Sequence, residues 1–283
     1  LGFQMNCSYG NAYRITGDKE YLEPILTSAK TLAKRFSPVT GVIRSWDFVR
    51  KGRDWKYPVI IDNMMNLEHL CNAGSIFNDD SLKVVAVTHA NTTMCNHFRP
   101  DYTSWHLVDY DPESGEVRKK ETVQGFSDDS AWARGQAWAL YGFTMMFRES
   151  GHDSYLTQAR NIADMLLSRL PEDGVPYWDL DSDKIPNDLR DASAAAIMAS
   201  AFVQLSTLTD DEASNAKYLA MAEKQLRTLA GPEYLAEPGT NGNFILKHCV
   251  GSLPDNSEVD VPLTYADYYF LEALLKYKSI TDK

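Results

Sequence analysis

The fold is decided by the stretch Ser127–Phe147, which reads SDDSAWARGQAWALYGFTMMF. Asp128, Asp129 and Ser130 carry acceptors for the N–H groups that a helix start leaves unpaired, so we predict a helix that begins near Asp129. Apolar side chains then recur at helical spacing on two faces rather than one. A helix that is apolar nearly all round is buried by neighbours on both sides, as in the inner ring of a helical barrel.

Arg134 and Trp138 stand four residues apart in this helix and therefore share one face. A guanidinium can lie over or beside an indole and leave its planar fork free for a carboxylate, which suits an acidic sugar. A second interpretation fits the residue types equally well. In it Trp132 and Trp138 belong to the core, and Arg134 is a buried cation with a partner inside the protein.

The whole chain repeats one unit, an apolar helix, a short turn, an amphipathic helix and a long loop, about every 60 to 70 residues. The first helices are predicted to begin near Leu1, Asp62, Asp129, Asp191 and Val261, and the second helices near Glu20, Asp79, Asp153 and Ala213. Loops long enough to be functional follow the second helices, at about 37–61, 98–128, 171–190 and 231–260. We expect these loops to open on one face.

Helical hairpins of this kind can stack into an open solenoid or close into a ring, and open solenoids show shorter, more uniform repeats. A closed ring of six hairpins needs twelve helices, whereas the sequence shows about nine. We therefore predict an all-α barrel of helical hairpins in a single domain over residues 1–283. It would be N-terminally incomplete, with about three helices upstream of Leu1.

Charge and composition argue against several functions. A net charge of −11 disfavours a nucleic-acid partner, because phosphate neutralisation needs a basic face. No run of eighteen apolar residues occurs, so we predict no membrane span and expect a soluble protein of the bacterial cytoplasm or periplasm, with the compartment left open. The cysteines show no zinc-ligand spacing, which predicts four free thiols and no metal site: Cys7, Cys71, Cys95 and Cys249.

Acidic residues at the starts of first helices are the candidate catalytic acids. For Asp129, Asp191 and Asp260 the favoured interpretation is a helix N-cap. A carboxyl group there needs burial or a neighbouring carboxylate to stay protonated near neutral pH. Asp62 follows the apolar run Pro58–Ile61, which would bury it, so Asp62 is the best candidate for an acid.

Two long loops supply candidate binding residues on the same predicted face. The segment Arg44–Pro58, RSWDFVRKGRDWKYP, places cations, including Arg50, among aromatic rings such as Trp46, which suits a charged carbohydrate. A solvated basic loop with its tryptophans in the core is the alternative interpretation. His106 and Gln124 lie in the second long loop, where we expect the mouth of the barrel.

Four motifs together resemble the unsaturated glucuronyl hydrolases, glycoside hydrolase family 88. They are SDDSAWARGQAWALYGF, IDNMMNLEHL, DASAAAIMASA and SEVDVPLTYADYYFLEALLKY, and the likeness covers nearly the whole chain. The resemblance implies an (α/α)6 barrel and a glycoside hydrolase. Such an enzyme removes the 4,5-unsaturated glucuronic acid from the non-reducing end of oligosaccharides made by polysaccharide lyases. It acts by hydration of the C4=C5 vinyl ether, without a metal or organic cofactor.

The resemblance also implies a site. It makes Asp62 the acid and base, and it assigns substrate binding to Trp46, His106, Gln124, Arg134 and Trp138. A second carboxylate of the family belongs to a His-Asp pair that would stand directly before Leu1, and without it Asp62 should be too acidic. Ser130 occupies a position where some relatives carry a tryptophan, a difference that bears on how the next sugar is held.

Two alternatives remain at this point. One is an unsaturated rhamnogalacturonyl hydrolase on the same fold, although Arg-Gly-Gln-Ala-Trp fits the glucuronyl enzymes better. The other is a catalytically inactive helical repeat that binds glycans. The sequence does not predict the oligomeric state.

Overall fold

Helical hairpins follow one another along the chain, as the repeat predicted. A computed structural model describes residues 1–48 and 51–282. The inner helices are α1 (Gly2–Met5), continued by a π-helical turn (Asn6–Gly10) and α2 (Asn11–Thr16), then α4 (Leu67–Phe77), α6 (Ala133–Ser150), α8 (Ala192–Leu205) and α10 (Thr264–Thr281). The outer helices are α3 (Leu22–Ala33), α5 (Asp80–Asn96), α7 (Asp153–Arg169) and α9 (Glu212–Leu229).

Neighbouring inner helices pack side by side in chain order. Helix α4 contacts α1 and α6, α6 contacts α8, and α8 contacts α10, while α5, α7 and α9 each pack on the inner helix before them. Every residue of α6 from Ala133 to Met146 is buried, as is every residue of α8 except Gln204. The prediction that this helix, α6, is buried all round is confirmed, and so is the all-α barrel class.

Two predicted helix starts are wrong by a few residues. Helix α6 begins at Ala133 after Trp132, because the segment before it forms a turn in which Asp128 accepts a hydrogen bond from the Thr122 N–H. Helix α10 begins at Thr264, because Asp260 lies in a strand with a left-handed φ of 53° and is not an N-cap. Asp191 does cap α8, accepting from the Ser193 N–H at 3.0 Å.

Short strands inside the long loops were not predicted. They are β1 (Phe36–Ser37), β2 (Val42–Ile43), β3 (Tyr57–Ile60), β4 (Leu107–Tyr110), β5 (Val117–Glu121), β6 (Cys249–Ser252) and β7 (Ser257–Val261). Strand β4 lies antiparallel between β3 and β5, which joins the first long loop to the second, and β6 pairs with β7 in a hairpin. These strands hold the loops over one end of the barrel.

The opposite end carries the short turns between paired helices. Gly17, Asn78 and Gly151 end α2, α4 and α6 in the left-handed conformation, with φ of 71°, 53° and 69°.

Between the first inner helix and α10 lies a cavity of about 480 Å³, lined by Phe3, Gln4, Cys7, Ser8, Thr264, Tyr265, Tyr268 and Tyr269. The four cysteines are free thiols. Across the described ranges, no helix is both long and apolar enough to cross a membrane.

Candidate active site

Asp62 stands where strand β3 turns into the inner helix α4. Residues Ile61–Asn66 form a 3-10 turn, and the Ile61 N–H donates to the His106 carbonyl at 2.8 Å. This continues the pairing of Ile60 with Leu107 in the β3–β4 sheet. It brings Asp62 Oδ2 to 3.7 Å from His106 Nε2.

A glycine allows Asp62 to approach helix α6 closely. A Cβ atom on Gly142 would lie 2.5 Å from Met64 Cβ, so the 3-10 turn could not pack this tightly against a larger residue. Asp62 thereby comes close enough to the α6 residues Arg134 and Trp138 for both to influence its ionisation. The contact between Gly142 and Met64 therefore sets how closely the 3-10 turn approaches helix α6.

Burial raises the pKa of the Asp62 carboxyl to about 6, against the lowering effects of Arg134, the main-chain N–H and the Trp138 indole N–H. The side chain remains 20% exposed, although its Oδ2 is buried and has no hydrogen-bond partner among the described residues. The expectation that Asp62 would be too acidic in this chain is wrong. Removal from water raises its pKa without a second carboxylate.

His106 and Gln124 are joined through the second long loop. The Gln124 main-chain N–H donates to His106 Nδ1 at 3.3 Å, and the His106 ring lies 4.7 Å from the Trp132 ring. The Gln124 side chain extends the other way and donates from Nε2 to the Gly251 carbonyl at 3.3 Å. Gln124 therefore connects His106 to strand β6.

Arg134 does not present a free fork to a ligand. Its Nη2 donates to the Gly251 carbonyl at 2.5 Å, and its Nη1 donates to the Val250 carbonyl and lies 3.3 Å from Asp191 Oδ2. The guanidinium lies over Trp132 and Tyr265, at 4.5 and 5.4 Å from the ring centres. The prediction that it lies on Trp138 with a free fork is wrong, because the β6 carbonyls occupy it. The alternative of a partnered buried cation is correct.

Trp138 lies among aromatic side chains close to Asp62. Its ring packs against Phe3, Tyr265 and Tyr269, with ring centres 6.0, 6.1 and 5.4 Å apart. The side chain is buried, yet its N–H is near enough to Asp62 to lower the pKa of that carboxyl.

Trp46 belongs to a cluster of aromatic rings at the side of the site. Its ring stacks on Phe48 at 5.7 Å and meets Trp55 edge-on at 5.6 Å. The neighbouring Ser45 hydroxyl accepts from the Ile60 N–H at 2.9 Å, which places this cluster beside the strand that ends at Asp62. The structure thus brings Asp62, His106, Gln124, Arg134 and Trp138 together and sets Trp46 at their edge.

The cations of the first long loop are largely engaged by carboxylates. Arg44 lies 3.4 Å from Asp47, Arg53 lies 3.1 Å from Glu121, and Lys56 lies 2.7 Å from Asp111. Arg50 lies outside the described residues. The basic character of this loop therefore stabilises the loop itself more than it offers free charge to a ligand.

Sequence reasoning missed the groups that hold Arg134. Asp191 is fully buried and accepts from Ser193, Val250 and Arg134, and the two β6 carbonyls complete the set. Main-chain carbonyls carry no signature in the sequence. Tyr265 belongs to the motif SEVDVPLTYADYYFLEALLKY, but the contact of its ring with the guanidinium depends on packing. Among residues 1–48 and 51–282, no cluster of His, Cys, Asp or Glu could hold a metal ion.

Comparison with known proteins gives concordant results. The model of the family described as Glycosyl Hydrolase Family 88 matches residues 2–277. An unsaturated glucuronyl hydrolase of Formosa agariphila is 46% identical over 283 residues, which cover 99% of this chain and 69% of that protein. An unsaturated chondroitin disaccharide hydrolase of Streptococcus pneumoniae is 34% identical over 278 residues, covering 98% of this chain and 69% of that protein.

Solved structures agree in fold as well. An unsaturated glucuronyl hydrolase specific for heparin superposes with a TM-score of 0.96 at 51% sequence identity, covering 100% of this chain and 75% of the other. A mutant of the Streptococcus agalactiae unsaturated glucuronyl hydrolase, complexed with dGlcA-GalNAc6S, gives a TM-score of 0.81 at 31% identity, covering 98% and 68%. The chain therefore belongs to glycosyl hydrolase family 88, and its identification from sequence with the unsaturated glucuronyl hydrolases and their (α/α)6 barrel is confirmed.

Proposed function

We propose that residues 1–283 form one hydrolase domain that removes a 4,5-unsaturated glucuronic acid from the non-reducing end of oligosaccharides produced by polysaccharide lyases. The family and the named relatives support this activity over unsaturated rhamnogalacturonyl hydrolysis and over an inactive glycan-binding repeat. The complex of the Streptococcus agalactiae relative with dGlcA-GalNAc6S supports an unsaturated uronic-acid oligosaccharide as the substrate.

One observation carries the proposed chemistry. Asp62 has a side chain that is 20% exposed and a carboxyl group whose pKa burial raises to about 6. A group with that pKa is protonated in a useful fraction of molecules near neutral pH and accepts the proton back readily. The neighbouring Asp191 is fully buried and engaged by Arg134, so it is unsuited to act on a sugar.

The proposed hydration of the C4=C5 bond needs no oxidant or reductant. Asp62 delivers its proton to C4 of the vinyl ether, and the C4=C5 electron pair forms the new C–H bond. Positive charge develops at C5 and is shared by the ring oxygen. Water then adds to C5 and returns a proton to Asp62. The resulting hemiketal opens at the bond between C5 and the ring oxygen, which gives a ketone at C5 and a hemiacetal at C1. That hemiacetal collapses to an aldehyde as the glycosidic C1–O bond breaks, and its hydroxyl proton leaves with the next sugar. The reaction consumes one water and needs no metal or organic cofactor.

The other residues have supporting roles in this proposal. Arg134 supplies a fixed positive charge near the uronate while its hydrogen bonds hold strand β6. His106 is directed at Asp62 and can donate to the water or to a ring hydroxyl. Gln124 lines the same wall. Trp138 lies beneath the ring, and Trp46 with its aromatic neighbours holds the outer part of the oligosaccharide.

The test compares the rates at which the protein hydrolyses unsaturated disaccharides from chondroitin and heparin and the unsaturated disaccharide from rhamnogalacturonan. We expect the glucuronyl substrates to be cleaved faster, with ultraviolet absorbance of the C4=C5 bond disappearing as sugar is released. Sugar release with persisting absorbance would contradict hydration. A faster rhamnogalacturonan reaction would favour the sister activity, and binding without any turnover would favour the inactive repeat.

A further inference from the structure

A buried carboxylate outside the predicted site anchors the loop that carries Gln124. Asp179 comes from the third long loop and is fully buried. Its Oδ2 accepts from the Phe126 N–H at 2.8 Å and from the Ser130 hydroxyl at 2.6 Å, and its Oδ1 accepts from the Asp181 N–H at 2.9 Å. One side chain therefore ties the third loop to both ends of the turn that follows Gln124.

The turn fits closely around this carboxylate. The Gly125 N–H donates to the Thr122 carbonyl at 3.1 Å, which closes a tight turn with Gln124 near its tip. A Cβ atom on Gly125 would lie 2.4 Å from the Thr122 Cγ2 and 2.7 Å from Asp179 Oδ2. The carboxylate and the turn thus interlock, and a side chain at position 125 would force them apart.

The position of this turn sets the proton on His106. The Gln124 main-chain N–H is a donor that cannot reverse, so His106 Nδ1, 3.3 Å away, must accept. In the neutral ring the proton then resides on Nε2, the nitrogen that lies 3.7 Å from Asp62 Oδ2. Any displacement of Gln124 removes the hydrogen bond that selects this tautomer.

We propose that Asp179 is a positioning residue for the reaction: through the Thr122–Ser130 turn and the Gln124 N–H, it holds His106 as an Nε2–H donor directed at Asp62. This role rests on the proposed function. Ser130 acts in the same anchor, because its hydroxyl is bonded to Asp179 and its side chain is 2% exposed. Its effect on a sugar is transmitted by the turn and not by direct contact.

The experiment compares Asp179→Ala with Asp188→Ala as a matched control. Asp188 lies in the same loop and accepts from Trp178 Nε1 and the Leu189 N–H at 2.8 Å each, and these bonds stay within the third loop. We expect Asp179→Ala to lower kcat about 10- to 100-fold with a smaller change in KM, because misplacement of a positioned group acts mainly on the transition state. Asp188→Ala should retain kcat.

The tautomer itself is read by NMR of protein labelled with ¹⁵N-histidine, with the His106 signals identified by their loss in His106→Asn. We expect one Nε2–H form in the wild type and in Asp188→Ala, and a mixture in Asp179→Ala. Asp179→Asn should rescue in part, because its amide oxygen can replace Oδ2 towards Phe126 and Ser130. A purely structural role would change neither the tautomer nor the ratio of kcat to KM effects.

Two further variants test the proposal if Asp179→Ala fails to fold. Ser130→Ala removes one anchor bond, and Gly125→Ala displaces the turn while leaving Asp179 in place. Both should shift the tautomer and lower kcat. An unchanged tautomer and kcat in the folded variants would overturn the inference. If no substrate is turned over at all, the proposed function fails, whereas the tautomer measurement still decides whether Asp179 positions His106.

Discussion

Two sets of half-buried charges occupy the inner helices, and they differ in how fully their carboxylates are bonded. Deeper in the barrel lies a group that we call the axial cluster, made of Glu68, Arg148, Glu272 and Lys276. Arg148 lies 2.5 Å from Glu68, and Lys276 lies 2.9 Å from Glu272, which also accepts from Ser200 and from Tyr141 at 3.1 Å. Each carboxylate of the cluster has a cation of its own.

Asp62 lies under the loops with no such partner. Within the part of the chain that the structure describes, no donor reaches its Oδ2 within hydrogen-bond distance, and the nearby Arg134 is engaged by main-chain carbonyls. Burial works to raise the pKa of Glu272, but Lys276, Ser200 and Tyr141 bring it below the usual value. At Asp62 burial prevails, and the pKa is about 6. Burial raises the pKa of Glu68 as well, so the two sets differ in bonding and not in the direction of every pKa: Glu68 is paired with Arg148, whereas Asp62 Oδ2 has no partner among the described residues.

The largest effect is expected from Asp62→Asn. The amide keeps the shape of the carboxyl but cannot deliver a proton to C4, so kcat should fall by about 10²–10⁴-fold. Thermal stability should be unchanged or higher, since a neutral amide loses less hydration on burial than a carboxylate. The disappearance of C4=C5 absorbance measures the rate, and a melting curve measures stability. Near wild-type turnover would contradict the role of Asp62.

Glu68→Gln should show the opposite pattern. It leaves Arg148 without its closest carboxylate, although Glu149 lies 2.8 Å from the same nitrogen and compensates in part. We expect the free energy of unfolding to fall by about 2 kcal/mol, less than for a buried charge left wholly unpaired. Urea unfolding gives the loss, with kcat of the folded protein as the control. A large drop in kcat would mean that the two charge sets are not separate in function.

The pH dependence should belong to Asp62. Its pKa is raised to about 6, so the protonated acid predominates below that pH and is lost above it. We expect kcat/KM to decline about tenfold per pH unit above that value, as for a single essential acid of the free enzyme. Rates measured between pH 5 and 9, roughly the range where most carboxyls have already ionised, provide the check. A profile that stays flat through this range would show that Asp62 does not donate the proton.

The smallest effect is expected from an exposed ion pair. Arg160 lies 3.2 Å from Asp211, and their side chains are 39% and 45% exposed. Arg160→Ala should change the free energy of unfolding by less than about 1 kcal/mol and leave kcat unaltered, because water screens the pair. The same urea titration applies. A loss as large as that of Glu68→Gln would show that burial does not account for the difference between the pairs.

Local patterns in the sequence were sufficient for much of the fold. The apolar surround of α6, the Asp191 cap and the turn at Gly151 each depend on residues within about one helical turn of one another. The start of α6 was misplaced because Asp128 can cap a helix or close a turn with equal ease, and the contact with Thr122 decides between them. The strands in the long loops were not predicted because each is too short to show an alternation of apolar and polar side chains.

The features of the candidate site also fall into two groups, those that the sequence predicts and those that depend on packing. The sequence by itself determined that Asp62 follows an apolar run and would be buried, and that the residues of the site belong to a known family. Only the tertiary structure decided that Arg134 is held by carbonyls more than a hundred positions away, and that Asp179 is bonded to the turn whose Gln124 N–H reaches His106. Periodicity and capping depend on side chains that are close together in the sequence, so the sequence is enough to predict them. Main-chain carbonyls and N–H groups occur along the whole chain, and which of them meets a given side chain depends on packing alone.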